Sequence, residues 1–334
     1  MKQLKARLYD FLPCITIAAL VLVFSITSEG KLLSLFNLTA ICRQSVPVII
    51  GGLGVLFIVA MGSTDLSVGA VAAVSATVSA YVGCQYGLWA MVPVSIVIGL
   101  LCGSFVGLVV SRFSVSSFMA SLAMLICLRG FQNVLLVKWH QVYIPKGLSQ
   151  INSFTAGIII AIVLVLIFGY IFECTNFGYY CKGMGENENT MKSIGVNTTR
   201  IRLIAFTLSG LTASLMGIIL ISSVGGSSST LGQFMEMKIQ MAIFLGGVLV
   251  TGGMKTKIYK LILGSLSITI IVNGLILSGA NGATAEAVEG FLMMLILFLS
   301  IKLSKKNHPT SEITKKLPVK DYPADLVTDL DEGK

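Results

Sequence analysis

The sequence predicts an all-α fold, a polytopic transmembrane helix bundle of about ten spans, on three observations. Between Ile15 and Ile301, apolar runs of about 15 to 25 residues recur, broken by short stretches of Lys, Arg, Gly, Asn or Ser. The 334 residues are 55% hydrophobic, with a mean hydropathy of +0.89. Only 12% are charged, where a soluble domain carries about 25%. A large water-soluble core is thereby excluded.

The runs fall at 11–28, 45–61, 66–82, 88–110, 115–136, 153–173, 203–224, 239–253, 258–280 and 285–301. The first follows a basic start, as a signal peptide would, but no small-x-small cleavage motif precedes Glu29 and further runs follow, so it is expected to remain as a helix. The second and third are parted by the polar stretch Gly62–Gly69, the fourth ends at Arg112, and the fifth contains Arg129-Gly130. Gly246-Gly247 and Gly252-Gly253 flank one end of the eighth, Asn273-Gly274 interrupts the ninth, and Glu286 and Glu289 open the tenth. Several runs are shorter than the roughly 20 residues a straight helix needs to cross about 30 Å, so tilted, broken or partly buried helices are expected.

Charge orients the bundle. With Lys2, Lys5 and Arg7 in the cytoplasm, ten crossings place Arg112, the 174–202 loop, the Lys255/Lys257/Lys260 turn and the C-terminal tail on the same side, and most of the 24 Lys and Arg residues with them. The positive-inside rule therefore predicts both termini cytoplasmic, and the net charge of +9 requires no nucleic acid. Residues 1–303 form the membrane domain on this reading. The stretch 304–334, basic at first and then acidic, with Pro309, Pro318 and Pro323, reads as a mobile cytoplasmic tail. In the 174–202 loop, Glu188, Met191, Lys192 and Gly195 fit a short helix closed by glycine, either a docking element for another protein or an ordinary solvated connection.

Catalytic chemistry is scarce. There is no G-x-x-x-x-G-K-[ST] loop and no H-E-x-x-H, and His140 and His308 are the only histidines. The seven cysteines show no C-x-x-C or Cys/His spacing and are expected to be small buried side chains. No metal site, cofactor or enzymatic activity follows, and any energy from ATP has to come from another subunit.

The informative residues are the polar ones that interrupt apolar runs. Gly62 and Gly69 relieve backbone crowding around Asp65 and Ser67, which can satisfy free amides at the start of the third helix or contact a solute or gate. Arg129 deep in the fifth run has to snorkel, find an acceptor or face water. With Asn133, Gln240 and Asn273 it is a candidate to line a path, the alternative being local hydrogen bonds between helices. Gly246 and Gly247 allow close helix contact or a bend.

Taken in order, these residues resemble the permease subunits of ribose-type (monosaccharide) ABC importers, over roughly residues 10–303. The family's opening motif, close to G-G-I-D-L-S-V-G, is here Gly62-Ser63-Thr64-Asp65-Leu66-Ser67-Val68-Gly69, different at the second and third positions. Arg129-Gly130, the stretch Gly185-Glu-Asn-Glu-Asn-Thr-Met-Lys-Ser-Ile-Gly195, the run Ala205–Gly217, Leu245-Gly246-Gly247 and Asn273-Gly274-Leu275 continue the likeness. Where the family has a small-residue A-V-x-L-G-G-T-S segment, this chain has Met241-Ala-Ile-Phe-Leu-Gly-Gly-Val-Leu, and the proline usual before Phe118 is absent. The resemblance implies a plasma (inner) membrane subunit without enzymatic activity that provides an alternating-access path for a monosaccharide or related polyol. It further implies a second permease, identical or different, cytoplasmic ATP-binding subunits coupled through the segment near 186–195, and an extracytoplasmic solute-binding protein. The alternatives are a secondary transporter driven by an ion gradient, whose carboxylates would lie near the midplane, and a membrane assembly protein with no transported solute.

Overall fold

A computed structural model describes residues 2–139, 142–145, 147–148 and 154–307. His140, His308 and nearly all of the tail at 304–334 lie outside the described residues. The described residues form eleven α-helices: α1 (Lys2–Thr27), α2 (Leu35–Ala60), α3 (Val68–Tyr86), α4 (Leu88–Arg112), α5 (Ser117–Trp139), α6 (Phe154–Cys174), α7 (Asn176–Ser193), α8 (Thr198–Val224), α9 (Met235–Leu245), α10 (Ile258–Leu277) and α11 (Gly282–Asn307). The protein is a polytopic helical bundle.

Seven helices, α2 to α6, α8 and α10, are long and apolar enough to cross a membrane, and α1 carries a shorter apolar stretch, Pro13–Thr27. Hydropathy misplaced some ends because caps, not apolarity, set them. Ser34 Oγ accepts from Asn37 N at 3.4 Å and starts α2 at Leu35 rather than at 45. Likewise Asn197 Oδ1 accepts from Arg200 N at 3.0 Å and starts α8 at Thr198 rather than at 203.

The eighth expected span, 239–253, is corrected. Helix α9 has 11 residues and, at about 1.5 Å per residue, reaches roughly half of a 30 Å hydrocarbon core. It stops at Gly246 because Gly247 turns to φ +80, and Val248 N then bonds back to Ile243 O at 3.3 Å. A Cβ on Gly246 would strike the carbonyl of Lys260, so the end of α9 can lie against α10 only with glycine there.

Helices α2, α3 and α8 form the centre; 83% of the most apolar window of α2 is buried against 11% for α6. Helix α4 packs on α8 through Gly99, Gly103 and Gly107, a spacing of four that puts all three on one face. A Cβ on Gly107 would sit 2.9 Å from the Phe206 side chain, and Cβ atoms on Gly99 and Gly103 would meet the carbonyls of Gly210 and Phe206. Helices α5 and α6 flank α3 and α2, α1 lies on α10, and α11 lies on α9. Phe57 of α2 packs edge-on against Phe172 at 4.9 Å, joining α6 to the core. All seven cysteines are free, and the expectation that they are buried is corrected: Cys181 is buried, Cys42 and Cys102 are half-buried, and Cys14, Cys84, Cys127 and Cys174 are exposed.

Because the α4–α8 approach has no room for a side chain, Gly103→Leu is expected to lower the thermal midpoint of the purified protein by several degrees, in line with about 1–3 kcal/mol for overpacking. Leu101→Val, at a position 66% exposed, serves as the comparison and should leave the midpoint in place.

Candidate translocation site

The break between α2 and α3 is built around a buried carboxylate. Helix α2 closes with Gly62 at φ +70, whose N–H bonds to Val59 O at 2.9 Å and whose missing Cβ leaves space for the Thr251 carbonyl. The chain then runs without helix to Ser67. Asp65 is 4% exposed. Its Oδ1 accepts from Ser67 N at 2.9 Å and from Ser67 Oγ at 2.7 Å, and its Oδ2 accepts from Ser209 Oγ of α8 at 2.8 Å. Gln240 of α9 donates to the Asp65 carbonyl at 3.4 Å. Ser67 thus spends its hydroxyl on Asp65 and does not cap α3. Three donors compensate the desolvation of one carboxylate and bind α3 and α8 to the break, and the Gln240 bond to the backbone carbonyl adds α9.

A second non-helical stretch, 225–234, is held by α5 and by the strand-like residues at 142–143. Arg129 donates to the carbonyls of Leu231 at 2.7 Å and Gly232 at 2.6 Å. Gln132, fully buried and one turn along the same helix face, donates to Ser228 O at 2.8 Å. Ser227 N reaches Val142 O at 2.8 Å, and the Ser227 and Thr77 hydroxyls lie 2.6 Å apart. Arg129 and Ser209 both stand near the middle of their helices, so the two breaks meet well inside the bundle.

Where they meet lies Glu236, in the first turn of α9, 6% exposed, with an Oε2 that has no partner among the described residues. The charges acting on it are Arg129 and Asp65. Gly69 is the necessary counterpart, since a Cβ there would collide with the Glu236 carboxylate and stand 2.6 Å from the Gly232 carbonyl. Sequence reasoning did not single out Glu236, and it noted Gln132 only as a polar neighbour of Arg129. The available signal was an acid directly before an apolar run, and an amide three residues after the arginine, the spacing that shares a helix face.

Of the candidate path residues, the structure brings together Asp65, Ser67 and Gln240, with Arg129 linked to them through the 231–232 carbonyls and Glu236. It does not bring in the other two. Asn133 is exposed on α5, pointing away from Gln132, and Asn273 donates to Gln44 Oε1 of α2 at 3.1 Å, in a separate place. Gly246 and Gly247 lie at the far end of α9.

The candidate coupling residues sit on α7 and the turn after it. Asn187 breaks the helix, and its Oδ1 accepts from Thr190 N at 3.1 Å, restarting it; Gly195 closes it at φ +87, with Val196 N bonded to Met191 O at 3.1 Å. Glu188 pairs with Lys192 at 3.0 Å and Arg202 at 2.8 Å. Burial opposes ionisation of Glu188, but Lys192 and Arg202 outweigh it and hold its carboxyl below the usual glutamate range. Lys182, 1% exposed, fastens the first half of α7 to Glu173 of α6 at 2.7 Å. The second half is surface, with Lys192 exposed and Met191 half-buried.

Two outcomes follow from this geometry. Asp65→Asn keeps one carbonyl acceptor and should fold in reduced yield, whereas Asp65→Leu strands the donors of Ser67 and Ser209 and should lower membrane yield several-fold; normal yield with leucine contradicts the bracing role. Because the folded pKa of Glu188 is depressed, its anchoring is complete above the ordinary glutamate value and is lost only as pH falls through the lower folded one. Proteolysis within 186–195 should therefore be flat between about pH 8 and pH 6, and Glu188→Gln should raise it roughly twofold across that range.

The chain matches the family model described as the permease component of the branched-chain amino acid transport system over residues 37–297. It is 27% identical over 320 residues to the fructose import permease of Rhizobium meliloti, covering 88% of each chain. It is 27% identical over 314 residues to the ribose import permease of Escherichia coli K12, covering 89% of this chain and 95% of that one. A probable ABC transporter permease of Escherichia coli K12 is 30% identical over 307 residues, 88% of this chain and 90% of its own. No solved structure matches. With a multi-helix bundle broken at two buried polar knots and a family match spanning most of its length, the chain belongs to the permease-component family of these transport systems.

Proposed function

We propose that this protein is the membrane-spanning permease subunit of an ATP-driven importer for a monosaccharide or related small polyol, and that it provides the alternating-access path. The observation that carries this reading is near-full-length similarity to permeases whose named substrates are sugars, fructose and ribose among them. By the distribution of Lys and Arg both termini lie in the cytoplasm, with the half-length α9 and the non-helical stretches flanking it together making one of about ten crossings. Residues 1–303 are the permease domain and 304–334 a cytoplasmic extension. ATP is hydrolysed by a separate cytoplasmic subunit, a second permease completes the pair, and an extracytoplasmic binding protein delivers the solute.

In this arrangement α7 faces the ATP-binding subunit. Glu188, Met191, Lys192 and Gly195 form the docking element, and its displacement passes to the rest of the bundle through two hydrogen bonds: Glu186 Oε1 accepts from Met254 N at 2.9 Å, and Gly253 N donates to Ala60 O, the end of α2, at 2.9 Å. The break at Asp65 follows directly. Asp65, Ser67, Gln240 and Arg129 are the residues whose partners change as access alternates, while Asn133, exposed on α5, faces the second permease or the path between the two.

Reconstitution with its ATP-binding subunit and solute-binding protein tests the assignment: liposomes should accumulate a sugar with ATP inside, and the isolated chain should hydrolyse none. Substantial hydrolysis by the chain alone, or uptake without the ATP-binding subunit, contradicts it. Cysteines at 188, 191 and 192 should cross-link to the ATP-binding subunit in an active complex, and failure at all three removes the docking role from α7.

A further inference from the structure

At the end of the bundle remote from α7, a cleft of about 310 Å³ opens between α2, α8, α9 and α10. Its position follows from the chain: Ala60, at one end of α2, meets Gly185 of α7, while Arg43 and Gln44 on the cleft wall lie toward the other end of α2, and Ser223 lies in the last turn of α8. The volume lies at the small end of the range for small-molecule sites, about 300–1,000 Å³. Helix α9 is the partition between this cleft and the buried knot, with Met235 and Lys238 on the cleft face and Glu236 and Gln240 on the other.

The lining has a chemical signature. Val48, Ile219, Ile268 and Val272 give apolar walls. Donors stand on α2: Arg43 has no hydrogen bond or ion pair among the described residues, and Gln44, whose Oε1 is taken by Asn273 Nδ2 at 3.1 Å, keeps its NH2 to give. Acceptors stand opposite: Ser223 Oγ has given its proton to Leu220 O at 2.7 Å and Thr269 Oγ1 to Ser265 O at 2.9 Å, so each offers lone pairs. The charge of Lys238 is met by Glu289 at 3.3 Å. An anion requires donors all round, and an acyl chain requires neither. Donors on one wall, acceptors on the other and apolar surface between them suit a ring with C–H faces and several hydroxyls, each of which gives and receives.

We propose that this cleft is a weak binding station for a neutral monosaccharide on the face where the solute arrives, with Arg43 and Gln44 donating to ring hydroxyls and Ser223 and Thr269 accepting from them. This rests on the importer reading and adds to it a place and a charge class for the solute. Asn273, expected on sequence grounds to line the path itself, acts here by orienting Gln44.

The test uses the full transporter with its ATP-binding subunit in nanodiscs, the native cysteines of this chain replaced by serine and Val272→Cys introduced. Labelling by a charged, membrane-impermeant thiol reagent is timed with millimolar aldopentose, ketohexose or aldohexose, the panel including any sugar that the transporter accumulates, and separately in nanodiscs with and without phosphatidylglycerol. At least one sugar should slow labelling about fivefold or more. Gln44→Glu retains the acceptor for Asn273 but has no NH2, so it should assemble and lose most of that protection. The inference fails if no sugar protects, if Val272→Cys is unreactive throughout, if Gln44→Glu protects as well as the parent, or if phosphatidylglycerol alone accounts for the protection. Uptake assays run beside it separate the two claims: accumulation without protection sinks the station and leaves the importer, whereas no accumulation of any sugar sinks the importer reading itself.

Discussion

The rest of this structure depends on how the carbonyls of residues 228, 231 and 232 are satisfied inside an apolar bundle. Backbone polar groups that leave a helix within a hydrocarbon layer cost several kcal/mol each unless protein or water meets them. Arg129 and Gln132 meet them here, from one face of a single helix. That allows a non-helical stretch to sit against the start of α3 and lets α9 begin deep in the bundle as a half-length helix. The Asp65 knot solves the complementary problem, supplying acceptors for the amide and hydroxyls at the other break.

The two breaks are coupled through close approach. Gly69 carries no side chain, so Gly232 and the Glu236 carboxylate can lie on the beginning of α3. Glu236 is the uncompensated member of the group: Arg129 is near enough to act on it electrostatically, yet gives its hydrogen bonds to carbonyls. A buried carboxylate oxygen without a partner beside an arginine that has other partners is an arrangement with an obvious alternative, in which the arginine turns to the acid and releases the loop. Transport requires two states of nearly equal energy, and a site where hydrogen bonds can be exchanged rather than lost is a physical means to them.

The fold class was legible because apolar runs are long and charges few, and Asp65 was legible because an aspartate between two such runs has to be paid for by local donors. The end of α9 was harder: 239–253 carries no charge, and Gly246-Gly247 allowed either close helix contact or a bend until the backbone at Gly247, at φ +80, decided for the turn. Asn133 and Gln132 show the limit most plainly. Both are amides one residue apart, and about 100° of helical rotation puts one on Ser228 and the other outside. The Gly99-Gly103-Gly107 row was not singled out in the sequence and takes its role from the α8 backbone against it, and Glu236 likewise acquires its meaning only from Gly69 and Arg129, distant in sequence and adjacent in space.

The central claim, that Arg129 holds a non-helical segment within the bundle, is tested most directly by hydrogen–deuterium exchange in detergent or nanodiscs. In the parent protein the amides of 225–234 should exchange slowly, and in Arg129→Ala they should exchange at least about tenfold faster while those of α8 keep their protection. Equal protection of 225–234 in the two proteins would contradict the account, because the carbonyls at 231 and 232 would then be held by something other than the guanidinium.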